Sequence, residues 1–180
     1  MGVVLPFFTI GHSTRAIAEF VDLLCAGKVA MVVDIRTVPR SRANPQYTLD
    51  ALPDSLAGFQ IGYTRIEALG GLRGKSREVP PEVNGWWENR SFHNYADYTL
   101  TDEFHGGLDE LIGLGRERRV AMMCSEAVWW RCHRRIVADH LLTRGESVFH
   151  LMGHDRVEPA TLTPAAEPRP DGAVVYPAAE

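Results

Sequence analysis

One stretch of the chain, residues 120–143, reads VAMMCSEAVWWRCHRRIVADHLLT. The apolar run from Val120 to Met123 predicts a buried strand, and the apolar spacing from Arg134 to Thr143 predicts an amphipathic helix. Thiols, a carboxylate, an imidazole and several guanidinium groups lie between the two elements. Ligands bind at such strand-to-helix connections in open α/β sheets. The stretch therefore predicts both the fold class and the position of a site.

The rest of the chain repeats this alternation of strand and helix. Further strands are predicted at residues 7–10, 29–33, 61–66 and 147–152, and helices at 17–24, 49–56 and 104–112. Thr101 is a suitable N-cap for the last of these helices. Strands that alternate with helices form right-handed βαβ units. We therefore expect an α/β fold with a mostly parallel sheet of about five strands.

Length and composition predict a globular protein. The chain has 180 residues, of which 45% are hydrophobic and 23% charged, enough for one domain with a full core. We expect a single α/β domain over residues 1–153 and a Pro- and Ala-rich tail over 154–180, packed on the surface or flexible. Residues 70–95 lack a period and predict a long irregular excursion.

Two absences in the sequence bear on location. No apolar run approaches the ~20 residues that span a bilayer. The first ten residues have neither a basic start nor a cleavage site, so no signal peptide is indicated. A cytoplasmic protein without membrane contact is the expectation.

Arginine dominates the basic residues of this chain, with seventeen Arg and two Lys, although the net charge is −4. That net charge creates no overall basic field for nucleic acid. Arginine is nevertheless suited to bidentate recognition of phosphate or carboxylate. The arginines near predicted strand ends are therefore candidate ligand-binding residues: Arg36, Arg40, Arg42, Arg131 and Arg134.

The first two strands each end in polar residues. Gly11 permits a tight turn after the first strand, and the amides that follow, at His12 and Ser13, are placed to cradle an anion. His12 is then a candidate proton carrier, and the alternative is a hydrogen-bonded turn. After the second strand, Asp34 is a candidate to orient Arg36 or His12 or to act as a base. The alternative there is a strand-end salt bridge.

Cys124 is the candidate nucleophile, because Arg131 and a helix N-terminus would lower the pKa of its thiol. Glu126 is the candidate base or general acid beside it, and the alternative is a buried structural thiol. Cys132 and His133 are spaced four residues from apolar helix positions. Cys132 is therefore expected in the core, while His133 stays a candidate ligand contact.

The cysteines of this sequence predict neither a disulfide nor a metal site. Cys25 is expected to pack in the core, and an odd count of three cysteines argues against a disulfide scaffold. A structural disulfide between Cys124 and Cys132 is not expected. Cys-x7-Cys-His is not a zinc spacing, so no metal site is predicted.

Five aromatic residues allow two readings: Trp86, Trp87, Tyr95, Trp129 and Trp130. They could stack on the bases of a nucleotide or nucleic acid. They could equally cover the long excursion where it crosses the edge of the sheet.

Several short motifs together resemble the domain of unknown function 488 family. They are Thr9-Ile10-Gly11-His12-Ser13, Asp34-Ile35-Arg36, Pro39-x-Ser41, Leu69-Gly70-Gly71, Tyr95-Ala96-Asp97-Tyr98, Thr101-x-Glu103-Phe104 and Cys124-Ser125-Glu126 with Cys132-His133-Arg134. The resemblance covers roughly residues 9–152 and implies a three-layer α/β/α domain. The family comprises small bacterial and archaeal proteins without an established activity. Ala16 departs from the Ser that often caps the first helix there.

Two functions remain open. The first is an enzyme that acts on an anionic substrate, phosphate-bearing and possibly a nucleotide or nucleic acid, with Cys124, Glu126 and His12 as chemical groups. The second is a non-catalytic module that binds a nucleotide, nucleic acid or protein through the same arginine and tryptophan surface. The sequence identifies neither a cofactor nor an oligomeric state.

Overall fold

The computed structural model describes residues 3–153 and 156–179. Its main sheet contains β1 (Phe7–Gly11), β2 (Met31–Asp34), β3 (Gly62–Arg65), β4 (Val120–Cys124), β5 (Val148–Gly153) and β6 (Arg156–Pro159). The helices are α1 (Ile17–Ala26), α2 (Leu52–Ala57), α3 (Arg90–Tyr98), α4 (Asp102–Glu117) and α5 (Arg134–Thr143). Two short strands, β7 (Glu167–Pro168) and β8 (Val174–Val175), form a separate hairpin.

The main sheet has the strand order β3-β2-β4-β1-β5-β6. The first five strands in this order are parallel, and β6 pairs antiparallel with β5. Gly11 lies opposite Cys124, and Asp34 lies opposite Met123. The chain therefore leaves β1, β2 and β4 at the same level of the sheet, which brings their carboxyl ends together.

The helices form two layers, one on each face of the sheet, and each layer packs against its own apolar core. Because neighbouring strand residues point to opposite faces, Phe7 and Phe8 enter different cores. Phe8 packs with α1 and α2, through residues such as Phe20 and Leu56. Phe7 packs with α3, α4 and α5, through residues such as Leu111. This arrangement confirms the three-layer α/β/α fold with a mostly parallel sheet.

Helix starts follow the local sequence closely. The Thr101 side chain caps α4 by accepting from the Phe104 amide at 3.3 Å, as predicted. α5 covers the predicted residues 134–143. Ala16 precedes α1 without a side-chain cap, as its short apolar side chain requires. The excursion was predicted too long, because α3 begins at Arg90 behind the N-cap Asn89, whose side chain accepts from the Phe92 amide at 3.2 Å.

The C-terminal segment contributes to the folded structure. Residues 156–159 form β6, the sixth strand, which the prediction of about five strands had left in the tail. Tyr176 is fully buried, donates to the Asp139 carboxylate at 2.7 Å and packs against Trp87. Residues 173–176 of the predicted tail thus lie in the core beside α5. Within the residues described, no helix is long and apolar enough to cross a membrane.

Candidate functional site

A pocket of about 460 Å³ opens at the carboxyl ends of β2 and β4. Its walls come from the loops after these strands, from the start of α3 and from the turn before α5. Six of the predicted site residues line it: Arg36, Arg40, Cys124, Glu126, Arg131 and His133. Pockets of this size accommodate small organic ligands.

A buried ion pair forms the floor on the β2 side. Arg36 donates from Nε and Nη2 to the two carboxylate oxygens of Asp34, at 2.9 and 2.7 Å. The Arg36 amide donates to the same carboxylate at 3.0 Å, and the Tyr63 hydroxyl donates to it as well. Arg36 is 5% exposed and Asp34 is fully buried, so the pair is held rigidly. The Asp34 carboxylate therefore neutralises Arg36.

His12 supports this pair from beneath the pocket. Its Nδ1 lies 2.9 Å from the Ser13 carbonyl oxygen, which only accepts, so Nδ1 carries the proton. Its Nε2 lies 3.3 Å from Arg36 Nη1, which only donates. Burial lowers the pKa of His12, and its ring stacks on Tyr47 at 4.3 Å. The imidazole is therefore neutral and positions Arg36, and its predicted role as a proton carrier stays a prediction.

The predicted anion cradle after β1 does not form. The His12 amide donates to the Cys124 carbonyl at 2.9 Å, and the Ser13 amide donates to the Ser125 carbonyl at 3.0 Å. These bonds extend the β1–β4 pairing beyond the strand ends, so neither amide is directed at a ligand. Ser13 also adopts a positive φ of 48° before α1 begins. Its predicted ligand contact through the backbone is accordingly wrong.

Arg134 lies underneath the cysteine loop rather than in the pocket. Its side chain is completely buried, and Nη1 donates to Cys124 Sγ at 2.7 Å and to the Glu126 carbonyl at 2.6 Å. Nη2 donates to the Ala127 carbonyl at 3.1 Å, and Nε donates to the Thr9 hydroxyl at 3.2 Å. Burial lowers the pKa of Arg134 to about 9, which leaves it charged at neutral pH. No carboxylate forms a salt bridge with it in the described part of the chain.

A second layer holds this guanidinium in place. The Thr9 hydroxyl accepts from Arg134, so its own proton is directed to His150 Nδ1, at 2.6 Å. Burial lowers the pKa of His150 to about 3, and the neutral ring stacks on Trp129 at 4.7 Å. Thr9 and His150 lie inside predicted strands, where the sequence alone offers no signal that they support a site.

Cys132 occupies a different position from the one expected. It precedes α5 instead of lying on the helix, and its sulfur accepts from the Arg134 amide at 3.4 Å. It lines the pocket and forms a disulfide with Cys124, with 7.5 Å between the two Cα atoms. The expectation that these two cysteines do not pair is therefore wrong. The predicted burial of Cys132 is confirmed, at 5% exposure, but its predicted position on the apolar face of the helix is wrong. Cys25, expected in the core, is exposed on α1.

His133 also precedes α5 and faces the pocket. Its Nε2 donates to the Ile35 carbonyl at 2.9 Å, and its Nδ1 lies 3.5 Å from Cys132 Sγ. Burial lowers the pKa of His133 to about 4. The ring is therefore neutral at physiological pH, with its Nδ1 lone pair directed at the Cys132 sulfur.

Two glycines let the loops approach one another. A Cβ at Gly11 would lie 1.8 Å from the Glu126 carbonyl oxygen, so the loop after β4 can rest on β1 only if residue 11 is glycine. A Cβ at Gly71 would lie 2.5 Å from His133 Nδ1. Gly71, part of the Leu69-Gly70-Gly71 motif, therefore makes room for the histidine beside the pocket.

Two other predicted ligand contacts lie away from the pocket. Arg42 is exposed in the loop after β2. Tyr95 is completely buried, donates to the Leu69 carbonyl at 2.9 Å and packs edge-on against His133 at 5.0 Å. Tyr95 thus supports His133 from behind, and its side chain is unavailable to a ligand.

Most of the tryptophan side chains pack against other aromatic rings of the fold. Trp87 stacks on Phe92, and Trp86 packs edge-on against Trp87. Trp129 lies on His150, which leaves Trp130, 45% exposed, as the tryptophan of the set with a large exposed surface. The stacking platform is therefore reduced from five aromatic side chains to one.

The start of α3 is the part of the site that sequence reasoning missed. Asn89, Ser91 and Phe92 line the pocket at this helix N-terminus. A helix N-terminus favours negative charge. The signal was available, since Asn is a preferred N-cap, but it lay in residues assigned to the excursion.

Among residues 3–153 and 156–179, no group of three or more His, Cys, Asp or Glu side chains is arranged to hold a metal ion. A family model described as "Domain of unknown function DUF488" matches residues 16–141. No curated protein and no solved structure matches the chain.

Proposed function

The chain belongs to the DUF488 family, whose description assigns no function, and from its pocket we propose an enzyme that acts on an anionic substrate. Its nucleophile is the Cys124 thiolate, which is released when the Cys124–Cys132 disulfide is reduced. The substrate class we favour carries a phosphate group, and nucleotides or nucleic-acid ends are members of that class. The support comes from the surroundings of Cys124 and from the charge of the pocket.

The observation that carries the proposal is the buried charge of Arg134. A buried cation requires a compensating negative charge, because desolvation penalises an isolated ion by several kcal/mol. The side chain that Arg134 Nη1 contacts at 2.7 Å is that of Cys124, whose sulfur becomes a thiol when the disulfide is reduced. The Glu126 carboxylate attracts the guanidinium without forming a salt bridge to it, and a thiolate at Cys124 supplies a negative charge in direct contact. Thiolates rather than thiols are the nucleophilic form.

Two exposed arginines and a helix N-terminus in the pocket favour an anionic substrate. Arg40 and Arg131 are exposed at its wall, where their guanidinium groups are accessible to a ligand. The N-terminus of α3 lies at the opposite wall and adds a favourable potential for negative charge. Arg36 is already neutralised by Asp34, so we assign substrate binding to Arg40 and Arg131.

Glu126 is the group available for proton transfer. It is exposed, lines the pocket and follows Cys124 by two residues. In the proposed reaction the Cys124 sulfur attacks the electrophilic centre of the substrate, and Glu126 donates a proton to the leaving group. A bound water, deprotonated by the same carboxylate, then releases the product from the cysteine.

Alkylation kinetics test the proposed nucleophile. In reduced Cys25→Ser protein, which lacks the exposed thiol, iodoacetamide should modify Cys124 with a pH midpoint below the free-thiol value of about 8.5. Arg134→Met should raise the midpoint, while Arg134→Lys, which keeps the charge, should raise it less. Circular dichroism establishes that each variant is folded. A wild-type midpoint at or above the free-thiol value contradicts the enzyme and leaves the non-catalytic binding module as the better description.

Thermal shift measurements test the anion site independently. Inorganic phosphate should raise the melting temperature of the wild type, since a ligand of the native state stabilises by mass action. Arg131→Ala should reduce this shift, and Arg42→Ala, outside the pocket, is the matched control. Equal shifts in both variants would remove Arg131 from the binding site.

A further inference from the structure

Two cysteines with different partners meet in this pocket. Cys124 ends β4 and Cys132 precedes α5, and the two are joined by a disulfide. They are 3% and 5% exposed, and both line the pocket. The proposed nucleophilic reaction uses Cys124 and leaves Cys132 without a role.

Arg134 contacts both sulfur atoms. Its guanidinium donates to Cys124 Sγ at 2.7 Å, and its backbone amide donates to Cys132 Sγ at 3.4 Å. The first contact is with a full positive charge and the second is with a neutral amide at a helix start. Cys124 is therefore the better stabilised thiolate of the two.

His133 provides a proton acceptor for the other thiol. Because Nε2 donates to the Ile35 carbonyl, Nδ1 carries a free lone pair, and it lies 3.5 Å from Cys132 Sγ. Cys124 is thus poised to react first, and Cys132 can be deprotonated at the moment when it is needed.

We propose that Cys124 and Cys132 form a peroxide-reactive couple, in which Cys124 is oxidised and Cys132 resolves the product as a disulfide. This inference rests on the proposed nucleophilic role of Cys124 and extends it to a second class of small substrate. Hydroperoxides fit this site, because the smallest of them, hydrogen peroxide, can reach sulfur atoms that are almost completely buried.

The reaction balances in two steps. The Cys124 thiolate attacks one peroxide oxygen, the O–O bond breaks, and the departing hydroxide takes a proton to become water, which leaves Cys124 as a sulfenic acid. Cys132 transfers its proton to His133 Nδ1 and attacks the Cys124 sulfur. The S–O bond breaks, the hydroxide recovers the proton from His133 as water, and the S–S bond forms. Two thiols are oxidised by two electrons while one hydrogen peroxide becomes two waters.

The disulfide between Cys124 and Cys132 closes the loop of residues 125–131. The segment 125–131 is largely at the surface and carries exposed Trp130. Oxidation should therefore change the environment of Trp130, and tryptophan fluorescence reports it. An external dithiol such as dithiothreitol returns the couple to the reduced state.

The test treats reduced Cys25→Ser protein with hydrogen peroxide and maps the products by peptide mass spectrometry. We expect the loss of two thiols per chain, a disulfide that joins the Cys124 and Cys132 peptides, and full recovery with dithiothreitol. Adding Cys132→Ser should instead accumulate a sulfenic acid at Cys124 that dimedone traps. His133→Gln should form the sulfenic acid normally but slow the disulfide step by about tenfold or more, as expected for loss of a general base.

Three outcomes overturn the inference: no Cys124–Cys132 linkage, no dimedone adduct at Cys124 in the Cys132→Ser variant, or a disulfide rate unchanged by His133→Gln. Alkylation of Cys124 by iodoacetamide separates this failure from that of the proposed function. A low alkylation midpoint without peroxide chemistry leaves the nucleophile in place and removes only the redox couple. Cys132→Ala serves as the second variant if Cys132→Ser fails to fold.

Discussion

At the scale of single residues, the site depends on two buried arginines whose charges have different partners. Arg36 is matched by Asp34, and this pair is a structural element at the end of β2. Arg134 is matched by carbonyl oxygens, a hydroxyl and the sulfur of Cys124. The first arginine is electrically satisfied, and the second leaves a positive potential at a thiol. That difference is what separates a structural ion pair from a group that activates a neighbour.

The Asp34 pairing predicts a large loss of stability on Asp34→Asn. The substitution keeps the shape of the side chain but leaves the Arg36 charge buried without compensation, which costs about 3–5 kcal/mol. Urea unfolding followed by circular dichroism measures the difference. Glu67→Gln, which removes an exposed partner of Arg65, is the control and should cost less than about 1 kcal/mol. Similar losses in the two variants would show that the buried pair is not the anchor of this strand end.

At the scale of elements, the pocket exists because two loops and two helix starts meet at one end of the sheet. The loop after β4 rests directly on β1, where Gly11 offers no side chain. The turn before α5 places both Cys132 and His133 beside the loop that contains Gly71. The geometry of the thiols is therefore set by loop-to-strand contacts and not by the helix that follows them.

Gly11→Ala tests this contact. Its methyl group would overlap the Glu126 carbonyl, so the loop after β4 must shift, and we expect a loss of about 1–3 kcal/mol in unfolding free energy. The same shift should slow the alkylation of Cys124 in the Cys25→Ser background. Gly106→Ala is the matched control, because nothing lies within 4 Å of a Cβ built on this exposed helical glycine. It should stabilise the protein by about 0.4–1 kcal/mol, and an equal effect at both glycines would contradict the contact.

At the scale of the whole molecule, the C-terminal segment closes the α3–α5 side of the fold. Val174 and Tyr176 are completely buried, and the Asn84 side chain accepts from the Tyr176 amide at 2.9 Å. Asn84 also donates to Asp97 on α3 at 2.7 Å. The last strand of the chain thus connects α5 to the segment before α3, whose N-terminus forms a wall of the pocket.

A chain that ends at Pro170 should be strongly destabilised. It loses the buried residues 173–176, and each fully buried Val or larger apolar side chain contributes about 1.5–3 kcal/mol, so the total loss should exceed about 3 kcal/mol. Thermal and urea unfolding measure it. A chain that ends at Pro177 is the control and should match the full-length protein. Unchanged stability of the shorter chain would support the predicted domain end at residue 153.

Much of the fold was readable from the sequence because its signals are local. Apolar runs located β1 to β5, helical spacing located α4 and α5, and the Thr101 cap was identified from its residue type. The edge strand β6 was missed because it is short and polar, and because it pairs with a single neighbouring strand, β5. The start of α3 was missed because Gly, Pro and Trp around it obscured the Asn89 cap.

The sequence by itself determined the order of the elements, the parallel sheet and the edge at which Arg36, Cys124 and Glu126 lie, because strand direction and periodicity are properties of short segments. Only the tertiary structure decided which groups touch. It buried Arg134 under Cys124, moved Cys132 and His133 from the helix into the pocket, and withdrew Tyr95 into the core. Such contacts join residues from separate elements. They depend on how closely those elements pack in the folded chain, which no local sequence pattern encodes.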